Sequence, residues 1–283
     1  MSATELGSVQ KTLFLPLWGR AVETRKPNPL LVDDTAIRII DKVGYDFSTI
    51  AERMSFVSQL AWVVRSLHTD RALRTFLAQY PEATVVNLGC GLDTTFERVD
   101  NGRVQWLDLD LPDVIALRRQ FIEETDRRRF IASSLLDTDW LRGLNVDGPL
   151  FFAAMGVLYY IREHELRSFL KTLADKFEMS ELLFDACSAF GLRTANRRVI
   201  RDGGMDESAI LVWSLEKPVH LERWDQRITL IDAYPMFRGM KHGRSLKEKW
   251  GMLLSDTLRA MSMVHLRIGA SAWRGRPKFA SQF

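Results

Sequence analysis

The chain is short of several features that would settle its class at once. It has two cysteines in 283 residues, Cys90 and Cys187. They lie too far apart for a disulfide framework or a cysteine-based metal site, so the expectation is reduced side chains in a cytoplasmic protein and no bound metal. Long apolar runs are missing as well. The N-terminal MSATELGSVQKTLFLPLWGR offers about five apolar residues before Pro16 interrupts them, against the ~20 of a membrane span. It also lacks the basic lead and small-residue cleavage site of a signal peptide, and no membrane partner is expected. Charge of one sign is scarce, since 39 basic and 36 acidic residues leave a formal net charge of +3. A phosphate backbone wants a concentrated basic face, so nucleic acid is not an expected partner. Internal repeats and low-complexity tracts are absent.

With 46% hydrophobic residues, the chain can fill a sizeable core. Residues 1–80 read as helical: Asp33 and Asp34 open TAIRIIDKV, and SFVSQLAWVVRSLHTDRALRTFLAQY keeps helical spacing up to Pro81, with RKPNP as the loop between. From Ala83 the texture changes. TVVNLG, VQWLDLD, RFIAS, PLFFAAMGVLY and SELLFDA read as strands separated by DVIALRRQFIEETDRRRF and EHELRSFLKTLADKF as helices. That alternation predicts an α/β fold with a mostly parallel sheet. Near the end AILVWSLE, ITLIDAY and SMVHLRIGAS read as further strands, two of which could pair with the sheet edge. The polar GLRTANRRVIRDGGMDES reads as a lid loop near residues 191–208. The expected organisation is an N-terminal helical lid, 1–80, on a Rossmann-like core, 81–283. The basic runs DRRRF and MKHGRSLKEKW read as solvated faces, the first closing an amphipathic helix.

The stretch VVNLGCGLDTT carries the chemistry. A dinucleotide turn expects G-x-G-x-x-G; here Gly89 and Gly91 fit, but Thr94 stands third and Asp93 lies where an anion would approach. A carboxylate there repels pyrophosphate and suits a cationic ligand, which favours S-adenosylmethionine over NAD. A ribose-binding acid is expected about 20 residues on. Asp108 and Asp110 lie 19 and 21 residues past Gly89, with strand alternation taken to leave only one of them in the cleft.

VVNLGCGLDTTFERV followed by VQWLDLDLPDVIALR resembles the leucine carboxyl methyltransferase family, and especially its bacterial branch of polyketide O-methyltransferases of the tetracenomycin type. The resemblance covers most of the chain, through SVQKTLFLPLWGRAVETRKPNPLLVDDTA, ASSLLDTDWL, GVLYYI and ILVWSLEKPVHLERW, and its NLGxGxDTT phrase is specific. It implies a class I S-adenosylmethionine methyltransferase with a seven-stranded, mostly parallel sheet. It also implies that Arg65 holds the methionine carboxylate with Lys26 near it, that Gly89 makes a backbone contact, that Asp110 takes the ribose and that Ser134 and Leu135 flank the adenine. The family's acid before GVLxY is replaced by Met155.

Methyl transfer is an in-line displacement that depends on alignment and exclusion of water. The acceptor is expected to be a carboxylate or hydroxyl of a small secondary metabolite. Candidates around it are Tyr159, Tyr160, His164, Arg193 and Arg197, with Trp18 or Tyr45 from the lid. Three alternatives stand beside this reading: methylation of a protein's C-terminal carboxylate, cyclisation of the cofactor's aminobutyryl arm prompted by Met155, and a non-catalytic binding module.

Overall fold

The computed structural model describes residues 8–43, 46–48, 52, 54–144, 146, 148–197, 210–240 and 245–269. The apolar, β-branched segments form strands β1 (Thr84–Leu88), β2 (Gln105–Asp110), β3 (Arg128–Ala132), β4 (Leu150–Ala154), β5 (Ser180–Cys187), β6 (Ile228–Pro235) and β7 (Met261–Ile268). They join in one sheet of order β3-β2-β1-β4-β5-β7-β6. The first five run parallel, with Val85 registered between Trp106 and Phe151. β7 lies antiparallel between β5 and the edge strand β6. Successive connections leave β1 in opposite directions, toward β2 and toward β4, which opens a crevice at the carboxyl ends of those strands.

Helices α1 (Ser8–Thr24), α2 (Asp34–Val43), α3 (Phe56–Gln79), α4 (Thr95–Val99), α5 (Pro112–Arg118), α6 (Asp139–Arg142), α7 (Glu163–Lys176), α8 (Ala189–Ala195) and α9 (Leu246–Thr257) surround the sheet. Several begin where local chemistry says they should. The Asp33 carboxylate accepts from Ala36 N–H at 2.9 Å, Ser55 caps α3, and Pro112 opens α5.

The period-2 alternation of the strands separates two cores. Leu150, Phe152 and Ala154 of β4 pack with Leu166, Phe169 and Leu173 of α7. Phe151 and Ala153 face the other way, onto Leu60, Val64 and Phe76 of α3. So α3 covers one face of the sheet. The helices α1 and α2 pack Phe14, Leu17 and Ile39 against Cys90, Leu92 and Ile115, over the glycine turn.

Several local readings are corrected. Ile210–Glu216 lies outside the regular strands although it alternates in burial. Its N–H groups are taken by Tyr159 O (from Val212 and Trp213), Cys187 O (from Leu215) and the Asn196 side chain (from Leu211), so no ladder forms. The helix read across DVIALRRQFIEETDRRRF stops at Arg118, and the DRRRF residues enter β3, where Arg128 is buried against Asp108 and Glu97. The arginines therefore do not complement a helix dipole. The proposed loop at 191–208 begins as α8; residues 198–209 lie outside the described residues. The MKHGRSLKEKW segment contributes α9 from Leu246 onward.

Candidate active site

The turn after β1 sets the floor of the site. Gly89 and Gly91 have φ of +61° and +47°, left-handed values that favour glycine. At Gly89 a side chain is also sterically excluded, because an added Cβ would lie 2.3 Å from Val157 Cγ2. The turn is clamped from beneath by Arg118, which is wholly buried and donates to Gly91 O and Asp93 O at 2.8 Å each. Asp108 holds that arginine at 2.9 Å and Arg128 at 2.8 Å, and also accepts from Trp106 Nε1 and Asn87 Nδ2. Every lone pair of Asp108 is therefore used inside the protein.

Asp110 is the acid that ends β2. Its Oδ2 accepts from Gly91 N–H at 2.7 Å and its Oδ1 from Leu111 N–H at 2.8 Å, which leaves further lone pairs on both oxygens. Burial raises its pKa, a tendency those two bonds oppose. The sequence reasoning that alternation separates Asp108 from Asp110 is wrong, since residues two apart share a face. Depth along β2 distinguishes them.

A cavity of about 1080 Å³ opens at the carboxyl ends of β1, β4 and β5, beneath α1, α3, α8 and α9. Gly89, Gly91 and Asp93 line it from the turn, and Met155 with Gly156 from the end of β4. Arg65 comes from α3; it is buried, and its Nη1 donates to Asp185 Oδ2 at 2.9 Å and to Tyr159 OH at 3.4 Å. Burial opposes its charge, but Asp185 and Tyr159 overcome this and raise its pKa. Asp185 uses its other oxygen to accept from Gly156 N–H at 2.6 Å, tying the α3 arginine to the β4 turn.

Asp93 is also satisfied within the protein. Its carboxylate accepts from Thr95 N–H at 3.0 Å and Asn87 Nδ2 at 3.3 Å. Burial acts against its charge, yet Arg20 and Arg98 hold its pKa down to about 2. The two guanidinium groups keep this carboxylate ionised, while their own ion pairs are with Asp33 and Asp70.

The remaining sequence candidates divide. Tyr159, Tyr160, Arg193 and Arg197 line the cavity, the arginines exposed at its mouth beside Phe190. Lys26, Asp110, Ser134, Leu135, His164 and Trp18 do not line it. Lys26 donates to Glu23 at 2.5 Å and lies 6.0 Å from the Phe56 ring centroid. Ser134 and Leu135 follow β3 beside Asp110, whose carbonyl accepts from Ser133 N–H at 2.9 Å. His164 is exposed in the first turn of α7, which takes it away from any role in the cavity. Tyr45 lies outside the described residues.

Three residues that sequence reasoning passed over matter here. Arg20 lines the cavity while bonded to Asp33 and Leu92 O, Arg118 clamps the turn, and Asp185 orients Arg65. Only Asp185 carried a signal, as an acid inside the otherwise apolar run SELLFDAC.

These residues fit S-adenosylmethionine. The turn leaves backbone open where a side chain would clash, a guanidinium faces the cavity for a carboxylate, and a carboxylate with spare lone pairs stands at the end of β2. Among the described residues, no group of His, Cys, Asp and Glu could hold a metal ion, and no helix is long and apolar enough to cross a membrane.

Comparison with known proteins agrees. Two solved structures share the fold: a Thermobifida fusca protein provisionally described as a methyltransferase (TM-score 0.57, 16% identity, 89% of this chain and 94% of that one) and a DUF574 family protein from Streptomyces avermitilis (TM-score 0.56, 12% identity, 91% and 97%). In sequence, the chain is 32% identical to the tetracenomycin polyketide synthesis O-methyltransferase TcmP of Streptomyces glaucescens, over 94% of this chain and 91% of that protein. It is 30% identical to the S-adenosyl-L-methionine-dependent methyltransferase dpfgK of Gibberella zeae, over 77% and 78%. Residues 14–174 match the family model described as leucine carboxyl methyltransferase. The chain belongs to the leucine carboxyl methyltransferase family and is an S-adenosylmethionine-dependent methyltransferase.

Proposed function

We propose that the protein methylates a carboxylate oxygen of a small, acidic, aromatic acceptor of the polyketide kind. The observation that carries this is the composition of the cavity wall. Among the described residues that line it there is no histidine, lysine or glutamate, and its acidic groups are poorly suited to accept a proton near neutrality. Asp93 is held at about 2 by Arg20 and Arg98 against the effect of burial. Burial and Asp185 push the Cys187 thiol up to about 12 and the Tyr159 phenol well above its ordinary value. A hydroxyl acceptor would need a base with a pKa near the working pH. A carboxylate arrives already deprotonated.

When bound, S-adenosylmethionine supplies an electrophilic methyl group on a sulfonium. In this reading Arg65, fixed by Asp185, pairs with its carboxylate. The Gly89–Gly91 turn brings backbone close to it, Asp110 receives ribose hydroxyls on its unused lone pairs, and Ser134 and Leu135 stand beside the adenine. Arg193 and Arg197 draw an anionic acceptor to the mouth, where Phe190 and Tyr160 offer ring faces. The apolar part of the wall excludes water from the displacement. The name of the Streptomyces glaucescens relative supports a polyketide acceptor.

Labelled methyl transfer to matched aromatic acids and phenols tests the acceptor. The expected product is an ester that mild base hydrolyses to methanol, and a base-stable aryl ether as sole product would overturn the carboxylate reading. Methylthioadenosine in place of S-adenosylhomocysteine would point to attack on the aminobutyryl arm instead. Calorimetry tests the cofactor contacts: Arg65→Ala and Asp110→Ala should each weaken S-adenosylhomocysteine binding at least about tenfold, and unchanged affinity in both would refute them.

A further inference from the structure

The helix α9 is built inside out. Its one fully buried side chain is Met252, whereas Leu246, Trp250, Leu253 and Leu254 are 77%, 70%, 44% and 60% exposed. At 3.6 residues per turn those four fall within an arc of about 100° pointing away from the core. Lys247 and Lys249, both exposed, flank this arc on its two sides. The acids of the helix are turned inward: Glu248 accepts from Ser245 N–H at 2.9 Å and Asp256 from Phe237 N–H at 3.0 Å. Exposed Leu258 and Arg259 extend the same pattern past the C-terminus of the helix. A contiguous exposed apolar surface of this kind marks an interaction site.

We propose that α9 docks the protein on an anionic lipid surface. An apolar outer face carrying a tryptophan, edged by lysines and free of outward-facing acids, is the pattern of a helix lying in the headgroup region. The aliphatic stems of Lys247 and Lys249 can follow the apolar face while their ammonium groups reach anionic headgroups. A second copy of this chain fits less well, because the outer face of a second α9 presents apolar residues and lysines and no carboxylate to meet Lys247 and Lys249. The surface also has a functional continuation, since Leu254, Gly251 and Ser255 line the active-site cavity. Docked in this way, the protein holds that wall of the cavity at the membrane surface. The lack of a spanning segment does not bear on this, and the docking does not depend on which acceptor is methylated.

Vesicle co-sedimentation of the full chain tests the proposal, using phosphatidylcholine alone and phosphatidylcholine with one-third phosphatidylglycerol. The wild type should bind the anionic vesicles at least about thirtyfold more tightly than the neutral ones, and salt should reduce the difference. Leu246→Ser with Trp250→Ser should lower anionic binding at least about tenfold. Lys247→Gln with Lys249→Gln should lower it about thirtyfold, leaving binding to neutral vesicles unchanged. None of these four residues lines the cavity, so the melting temperature and S-adenosylhomocysteine affinity should stay at wild-type values. Absence of vesicle binding by the wild type, or equal binding by wild type and variants, overturns the proposal. So does light scattering that shows a wild-type dimer converted to monomer by the serine substitutions, which would make a second copy the occupant.

Discussion

Replacing Gly89 with alanine is the sharpest perturbation of the cofactor turn, because its cost divides into two parts that a second substitution separates. The backbone at φ +61° imposes left-handed strain of about 1–2 kcal/mol on any L side chain. The new methyl group would also lie 2.3 Å from Val157 Cγ2 and 3.1 Å from Val157 Cγ1, and such overpacking adds about 1–3 kcal/mol. Gly89→Ala should therefore destabilise the protein by about 3 kcal/mol in urea unfolding. Val157→Ala removes both clashing methyls at a cost of about 1 kcal/mol, given that Val157 is only half-buried. In the double variant the nearest atom of residue 157 is Cβ at 3.3 Å, still a tight contact, so most of the overpacking part falls away. The double variant should be destabilised by about 2.5 kcal/mol, less than the roughly 4 kcal/mol that independent effects would give. Strict additivity would refute the steric account, and a Gly89→Ala variant as stable as wild type would refute the geometry of the turn altogether.

Two further outcomes follow from the buried charges. Asp185→Ala should cost about 3–5 kcal/mol in urea because it leaves the Arg65 guanidinium buried without its anion. Asp185→Asn should recover much of that stability while still weakening S-adenosylhomocysteine binding in calorimetry, and unchanged affinity in the Asn variant would remove Asp185 from any part in orienting Arg65. The buried His68 sits against Met236 O at 2.9 Å, and burial, with Arg71 and Arg238 nearby, lowers its pKa from 6.5 to about 4. The folded state thus prefers the neutral ring, so its contribution is full above pH 6.5 and is lost as pH falls toward 4. From pH 7 to pH 5 the protein should lose roughly 2 kcal/mol through this group, a slope that His68→Gln should abolish when unfolding is followed across that range.

What could be read from the sequence was what depends on near neighbours. TVVNLGCG announces a strand and a turn within eight residues, and the acid at the end of WLDLD falls at the spacing the fold requires. Ser55 and Asp33 begin their helices through contacts three residues away. The misread elements are those whose backbone or charge is satisfied at a distance. ILVWSLE alternates as a strand does, yet Val212 bonds to Tyr159 O and Leu215 to Cys187 O. Arg128 resembles a solvated basic residue in DRRRF until Asp108, 20 positions earlier, takes its Nε–H. The insertion of β7 between β5 and β6 is equally invisible, because nothing local fixes which edge a late antiparallel strand will join. Arg65 and Asp185 meet across 120 positions, so the partner that orients the arginine could not be inferred from its surroundings in the chain.

The charges of the site change in meaning once those distant partners are known. Asp93 looked like a free carboxylate inviting a cation, but it accepts from Thr95 N–H and Asn87 Nδ2 and faces Arg20 and Arg98. Met155 looked like the loss of an acid from the end of β4, but the next residue, Gly156, donates its N–H to the Asp185 carboxylate of β5. That acid in turn is matched by Arg65. The interior of the cavity is thus lined by charges that have partners within the protein. Its mouth is not: Arg193 and Arg197 are exposed there, and among the described residues no carboxylate pairs with either. Cationic side chains at the entrance give an anionic acceptor a favourable path inward. Among the described residues that line the cavity, Asp93 is the only carboxylate, and with its pKa held down to about 2 it is a poor base for a phenol. Charge at the mouth and the lack of a base among the described lining residues therefore both support the proposed carboxylate acceptor, and they do so whether or not the thioether of Met155 touches the cofactor. Charge reversal at Arg193 and Arg197 should accordingly raise KM for an acidic acceptor while leaving S-adenosylhomocysteine affinity unchanged, and an unaltered KM would remove the mouth from the account of specificity.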